Sequence, residues 1–335
     1  MSRPGGELEA APVVVHVIRD GVVESAHRGH AAVVDSDGGQ LAGLGAPDAA
    51  VYVRSAAKPF QAAASVELCD DAGVALDADA VAIASASHSG SDTHQIEAAR
   101  ILALADLDET ALRCPAALPS HVPTLLDQRV PTPLAHNCSG KHAAFLLAQT
   151  LRGDDPARYL DPSSALQRLV AERLADHSHA APAGPGVDGC GAPAWRLPLT
   201  ALARAFAALA APAAGSPLAR VRDAMTARPD LVGGSGCPDT ELMLADARVV
   251  AKRGAEAVLA AGLRADGGRG VGVAVKIVDG NARGAVPVAA ALLEGLGAGV
   301  PAALLSPPVL GAGRAVGHLT LAAAVRDAVA KLEVT

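Results

Sequence analysis

Hydrophobic positions change period several times along the chain. Val13, Val14 and Val15 open a β-branched run that stops at the turn signal Asp20-Gly21, and "HAAVVDSDGGQLAGLG", residues 30–45, sets Asp-Gly-Gly between two apolar stretches. These patterns predict an antiparallel meander in the first fifty residues. From Ala56 to Leu68 the period becomes helical, with Phe60, Ala64 and Leu68 four residues apart. Further helices are predicted at about 92–105, 140–151, 163–177, 199–210, 217–228 and 284–296. The run "GVGVAVKIVDGN", residues 270–281, reads as a buried strand that leaves into a turn at Asp279-Gly280.

Strands near both ends with helices between them predict an α+β protein: one antiparallel sheet made from the two terminal parts, flanked by helices, with a helical insertion over roughly 92–230. No βαβ alternation supports a doubly wound sheet. The Pro/Gly-rich stretches at 181–193 and 211–217 are too short for linkers, so residues 12–335 read as one domain behind a polar leader, residues 1–11, expected to be disordered. No repeat of fixed period occurs.

Composition sharpens this picture. Half of the residues are hydrophobic but aromatics are only 2%, so helices should pack through small side chains rather than around rings. The 28 basic and 35 acidic residues give a net charge of −7, and no basic patch interleaved with aromatics points to nucleic acid. Glu7 and Glu9 stand where a signal peptide needs an apolar core. No uninterrupted apolar run reaches membrane-spanning length. Five cysteines, at 69, 114, 138, 190 and 237, are odd in number and widely spaced, unlike a secreted disulfide framework. The expected location is the cytoplasm.

Four stretches could carry chemistry. In "VYVRSAAKPF", residues 51–60, Ser55 and Lys58 form Ser-x-x-Lys, and Pro59 is tolerated in a helix only in its first turn. The helix should therefore begin near Ser55, at or beside its cap, where free N–H groups favour a developing oxyanion. Lys58 would lie one turn on, and burial with Arg54 beside it would depress its pKa towards the range of a general base. Read alone, the same stretch is a serine-capped helix with a snorkelling lysine. "IASASHSGSDTH", residues 83–94, places Ser85, Ser87, Ser89 and Ser91 around His88, before a helix that Asp92 could cap. Cys138, His142, Asp188 and Cys190, in "HNCSGKHAAF" and "GVDGCGAP", are plausible zinc ligands, although no second Cys-x-x-Cys strengthens the signal. Lys276 interrupts an apolar strand, which is costly unless it has a partner, has lost its proton or faces water at an edge.

Taken together, "RSAAKPFQA", "ASHSGSDTH", "HNCSGKHAAFL", "DGCGAP" and "KIVDGN" resemble, in order and approximate spacing, the bacterial L-asparaginase II family, of the type first known as the heat-labile asparaginase of rhizobia. The likeness runs from about residue 12 to residue 297. It implies a fold similar to serine β-lactamases and glutaminases, and hydrolysis of the side-chain amide of L-asparagine by a homodimer. It also implies two Ser–Lys pairs in one site, Ser55 with Lys58 and Ser87 with Lys276. Ser55 is read as the nucleophile, and Ser87 with Lys276 as the relay to the leaving ammonia. Arg54 suits the substrate α-carboxylate, and His88, His142 and Asp188 complete the substrate-binding set. The resemblance further places one zinc on Cys138, Lys141 and Cys190, where the residues alone favoured His142 over Lys141. Alternatives are a related hydrolase for glutamine or a β-lactam, and a non-catalytic amino-acid or zinc-binding protein, which would have no need of both Ser–Lys pairs.

Overall fold

The computed structural model describes residues 10–332, so all but two residues of the expected leader lie outside it. Eleven strands among the described residues are β1 (Val13–Arg19), β2 (Val22–Asp35), β3 (Gln40–Leu44), β4 (Ala50–Tyr52), β5 (Ala183–Val187), β6 (Pro193–Pro198), β7 (Val249–Gly254), β8 (Val258–Arg264), β9 (Gly270–Ile277), β10 (Pro308–Gly311) and β11 (Arg314–Leu321). The main sheet runs β10-β11-β1-β2-β9-β8-β7, with β3 also paired to β2, and all its neighbours are antiparallel. Residues from the two terminal parts build it, as the α+β pattern predicts.

The principal helices are α1 (Lys58–Asp71), α2 (Ala78–Ala84), α3 (Asp92–Ala103), α4 (Ser139–Leu151), α5 (Ala165–Ser178), α6 (Leu199–Ala210), α7 (Pro217–Ala227), α8 (Pro238–Ala245), α9 (Ala282–Gly295) and α10 (Ala323–Leu332). Helix α3 begins one residue earlier than its acidic signal suggested: Ser91, not Asp92, is the N-cap, in a capping box closed by His94. The region between the two parts of the main sheet is not purely helical. Strands β5 and β6 lie within it and join β4 in a three-stranded sheet. Its signal is weak because β5 is "AGPGV", which has no side-chain period to read.

Small residues bring helix and sheet together. A Cβ on Gly272 would stand 1.7 Å from the Ala203 carbonyl oxygen, one on Gly270 1.9 Å from that of Ala207, and one on Gly262 2.1 Å from that of Phe206. Helix α6 thus lies directly on the backbones of β8 and β9, while α9 also packs against these strands. The residues of β8 and β9 are almost all buried, as expected of strands covered by helices.

Pairing also fixes where the strand lysines sit. Lys252 on β7 pairs with Ala260, which pairs with Ala274, and Gly254 pairs with Val258, which pairs with Lys276. Cross-strand partners share a face, so both amines project from the face that carries Gly262, Gly270 and Gly272. Lys252 is on the edge strand and Lys276 is one row further along, two strands in. The free edge of β7 is covered by the segment 53–57 and by α8. Gly254 permits that cover, since a Cβ there would meet the Val53 carbonyl oxygen at 3.0 Å.

Gly272→Ala should lower the free energy of urea unfolding by about 1–3 kcal/mol, the usual range for overpacking. An unchanged unfolding midpoint and slope would contradict the direct seating of α6 on β9.

Candidate active site

The nucleophile candidate Ser55 sits in a 3-10 turn, Arg54–Ala57, that runs straight into α1. Val53 anchors this turn by donating its N–H to the Trp195 carbonyl at 3.0 Å. Pro59 falls in the first turn of α1, as its missing N–H requires. The Ser55 side chain caps nothing, because neither the turn nor the helix has a side-chain cap bond.

Arg54 adopts a left-handed backbone, with φ of 50°, a conformation that costs about 1–3 kcal/mol in a residue other than glycine. Its guanidinium is held by Asp188, with Nε and Nη2 donating to Oδ1 at 3.1 and 2.7 Å. The two residues expected to bind substrate are therefore joined to each other. Asp188 in turn opens a tight turn in which Gly191 N–H donates to its carbonyl at 2.8 Å and Gly189 N–H to its carboxylate at 2.7 Å. Burial alone would raise the Asp188 pKa, but Arg54 and the Gly189 amide hold it below the ordinary carboxylate value.

Lys58 is 1% exposed. Its Nζ donates to the Ala86 carbonyl, to Ser87 Oγ at 3.0 Å and to the Asn137 carbonyl at 3.2 Å. Burial pushes its pKa below the ordinary lysine value and Lys141 adds to the effect, while the sulfurs of Cys138 and Cys190 oppose it. The expected pairing thus changes. Ser87 bonds Lys58, whereas Lys276 donates to the Glu256 carbonyl in the β7–β8 hairpin and remains partly exposed. The reason is the register: Lys276 stands in the row of Gly254, next to the Arg54 turn.

Another amine was missed. Lys252 is fully buried, 3.3 Å from the equally buried Asp239; burial drives its pKa down, Asp239 opposes this, and Arg253 and Lys58 add to it. A signal existed in "VVAKRG", an apolar run closed by Lys-x-Gly, the form of the lysine-bearing strand in serine β-lactamases.

His88 is used internally. Its Nδ1 accepts the Gly90 N–H at 3.1 Å, its Nε2 bonds Ser139 Oγ at 3.0 Å, and it stacks on His94 with centroids 4.9 Å apart. Both ring nitrogens being engaged, His88 holds the serine loop against α4.

Beside Lys58 lies a sulfur-rich cluster. Lys141 Nζ is 3.1 Å from Cys190 Sγ. Cys138 donates to Asn137 Oδ1 at 3.2 Å, and its thiol is held well below the ordinary value, first by a bond with Cys190 and then by the two lysines. The Lys141 amine is raised, since the two sulfurs outweigh its burial. His142 bonds the Tyr159 hydroxyl through Nδ1 at 2.7 Å, while its Nε2 is buried without a hydrogen-bond partner. Burial, with Lys141 beside it, pushes His142 down to about 4, so the ring is neutral at physiological pH. Among the described residues no three His, Cys, Asp or Glu side chains converge as a metal cage. What the cluster offers is two thiols and one amine, soft and borderline donors that suit zinc. By contrast Cys69 and Cys114 are pushed up to about 12, chiefly by burial, and behave as inert apolar groups.

The Asp188–Arg54 pair thus connects the turn that contains Cys190 to the turn that carries Ser55. A family model for L-asparaginase II matches residues 15–321, which reaches past the last of the recognised motifs and takes in β10 and β11. None of the curated proteins matches the chain.

Tyr159 accepts the Arg113 N–H at 2.8 Å as well as meeting His142. Tyr159→Phe keeps the ring but leaves the buried His142 Nδ1 without its partner and takes an acceptor from the Arg113 N–H, and should cost about 1–3 kcal/mol in denaturant unfolding. An unaltered unfolding free energy would contradict this role.

Proposed function

The chain belongs to the L-asparaginase II family, and from that we propose that it hydrolyses the side-chain amide of L-asparagine to L-aspartate and ammonia. The observation that carries this reading is the buried Lys58 amine bonded to Ser87 Oγ at 3.0 Å, one helical turn from Ser55. A serine hydroxyl becomes a nucleophile when a neighbouring base removes its proton, and a lysine serves as that base once its pKa is depressed. The family's asparaginase-type chemistry, with a small-molecule substrate, gives such a base something to do. A β-lactamase or glutaminase-like fold forms part of the same reading.

In the reaction, Ser55 Oγ attacks the amide carbon and its proton passes to neutral Lys58. The tetrahedral intermediate collapses as the departing nitrogen takes up a proton, which releases ammonia and leaves an ester on the serine. Ser87, bonded to Lys58, relays that proton, and buried Lys252 rather than Lys276 is the second amine behind it. Water then cleaves the ester and frees L-aspartate. Arg54, whose Nη1 makes no bond among the described residues, takes the substrate α-carboxylate with Asp188 fixing its orientation. A second reading has Ser87 as the nucleophile, and the direct bond to Lys58 favours it.

Cys138, Cys190 and Lys141 would hold a zinc ion, which would have to displace the proton that the two sulfurs otherwise keep on Lys141. Bound there, the ion supplies a fixed positive charge beside the Asp188 turn that positions Arg54. No scissile-bond step depends on it, because a serine nucleophile is available.

Purified protein should release ammonia from L-asparagine in preference to glutamine and the D-forms. Ser55→Ala or Lys58→Met should lower kcat by about 10³-fold or more, and unchanged turnover in both variants would exclude that nucleophile–base pair. Atomic absorption should find zinc in the wild-type protein and little in Cys138→Ala with Cys190→Ala; equal occupancy would rule out those ligands.

A further inference from the structure

Directly behind Ser87 lies a cluster of charges, Asp239 and Lys252 fully buried and Arg253 partly so, of which the reaction scheme uses only Lys252. Asp239, on α8, is fully buried and holds two cations of β7: Lys252 Nζ at 3.3 Å and, through a short bond, Arg253 Nη1. The Arg253 N–H also reaches the Asp239 carboxylate at 3.3 Å, and Lys252 Nζ donates back to the Arg253 carbonyl at 3.0 Å. The remaining arm of Arg253, Nη2, donates to the Ser87 carbonyl at 2.7 Å. On the other side of the same residue, Ser87 N–H donates to the Val232 carbonyl at 2.9 Å. Ser87 is therefore gripped on both flanks by elements of the C-terminal part of the chain, and one carboxylate links its backbone to a buried amine.

Such a cluster is an expensive way to build a core. Taking ions out of water costs several kcal/mol each, and apolar side chains of similar volume commonly do as well or better for stability. Coverage of the β7 edge does not require a charge there, since the segment 53–57 and α8 already lie against it. The location next to the proposed site gives the cluster a use.

We propose that Asp239 and Arg253 are positioning residues: together they fix Ser87 and Lys252 relative to each other and tune how readily Lys252 gives up and accepts a proton. This rests on the reading of Lys252 as the second amine. Asp239 favours the charged amine, whereas Arg253 and Lys58 oppose it. Of the other groups nearby, His88 is neutral, its pKa driven down first by burial, and the Cys237 thiol is pushed up by burial. Burial drives the proton off Lys252, and the balance leaves its pKa at about 7, where an amine can both accept and donate at physiological pH.

The signs follow from the geometry. Asp239→Asn removes the charge that holds the proton, so Lys252 should titrate at lower pH. Arg253→Gln removes a repelling charge, so Lys252 should titrate at higher pH. The titration can be followed in protein labelled with 13C at the lysine ε-carbon, the Lys252 resonance being identified by its loss in Lys252→Arg. Opposite displacements in the two variants support the proposal. Displacements in the same direction, or none in Arg253→Gln, overturn it, and this second variant, at a partly exposed side chain, keeps the test decisive if Asp239→Asn does not fold. The alkaline limb of the pH profile of kcat/KM, where an amine that hands a proton on towards the leaving nitrogen loses it, should move with the resonance in each variant. Resonances that move while the limb stays fixed would remove Lys252 from the reaction and leave the hydrolase reading intact. A wild-type protein inactive on every amide would sink that reading, while the resonance shifts would still decide the proposal.

Discussion

Two fully buried amines, Lys58 and Lys252, are the constraint around which this protein is organised. An ammonium in the interior must find acceptors or lose its proton, and each of the two has done so differently. Lys58 meets two backbone carbonyls and a serine hydroxyl, which ties the first turn of α1 to the loop after α2 and to the approach to α4. Lys252 meets Asp239 and ties the edge of the main sheet to α8. Ser87 stands between them, touched by one amine directly and by the other's partner through Arg253.

The rest of the fold serves to bring these elements close. With few aromatic side chains, the interior is built mainly from alanine, valine and leucine, and glycines let α6 rest on the backbones of β8 and β9. A thin interior of this kind leaves little room for side chains to relax, so an added methyl is felt at once. It also lets charged groups sit within a few ångströms of backbone carbonyls on several elements together. The left-handed Arg54 has the same logic: its local cost is offset by the bond of its guanidinium to Asp188, in the turn that contains Cys190.

Much of this was legible before any coordinates. The helices at 92–103, 139–151, 165–178, 199–210 and 217–227 follow a strong period of apolar residues, and their ends lie within about three residues of those read from it. The terminal origin of the sheet was equally plain from its β-branched runs. What a linear pattern cannot carry is which strand lysine meets which serine. Lys276 stood out because it interrupts a long apolar run, whereas Lys252 is followed by Arg253 and Gly254 and looks like the polar end of a short strand. Strand register, set by pairing across β7, β8 and β9, decided between them. The small sheet of β4, β5 and β6 was hidden for another reason, since glycine and proline erase the alternation that marks a strand. Ser91 was passed over as a cap because Asp92 beside it is an equally good capping residue by type.

The central claim is that a serine of this site becomes covalently acylated by a small amide under the control of Lys58. Rapid acid quench of the protein turning over L-asparagine, followed by peptide mass spectrometry, tests it most directly. An aspartyl ester is expected on the peptide carrying Ser55, or on that carrying Ser87 if Ser87 is the nucleophile, and it should be lost in Lys58→Met. Steady release of ammonia with no acylated serine at any quench time would contradict it.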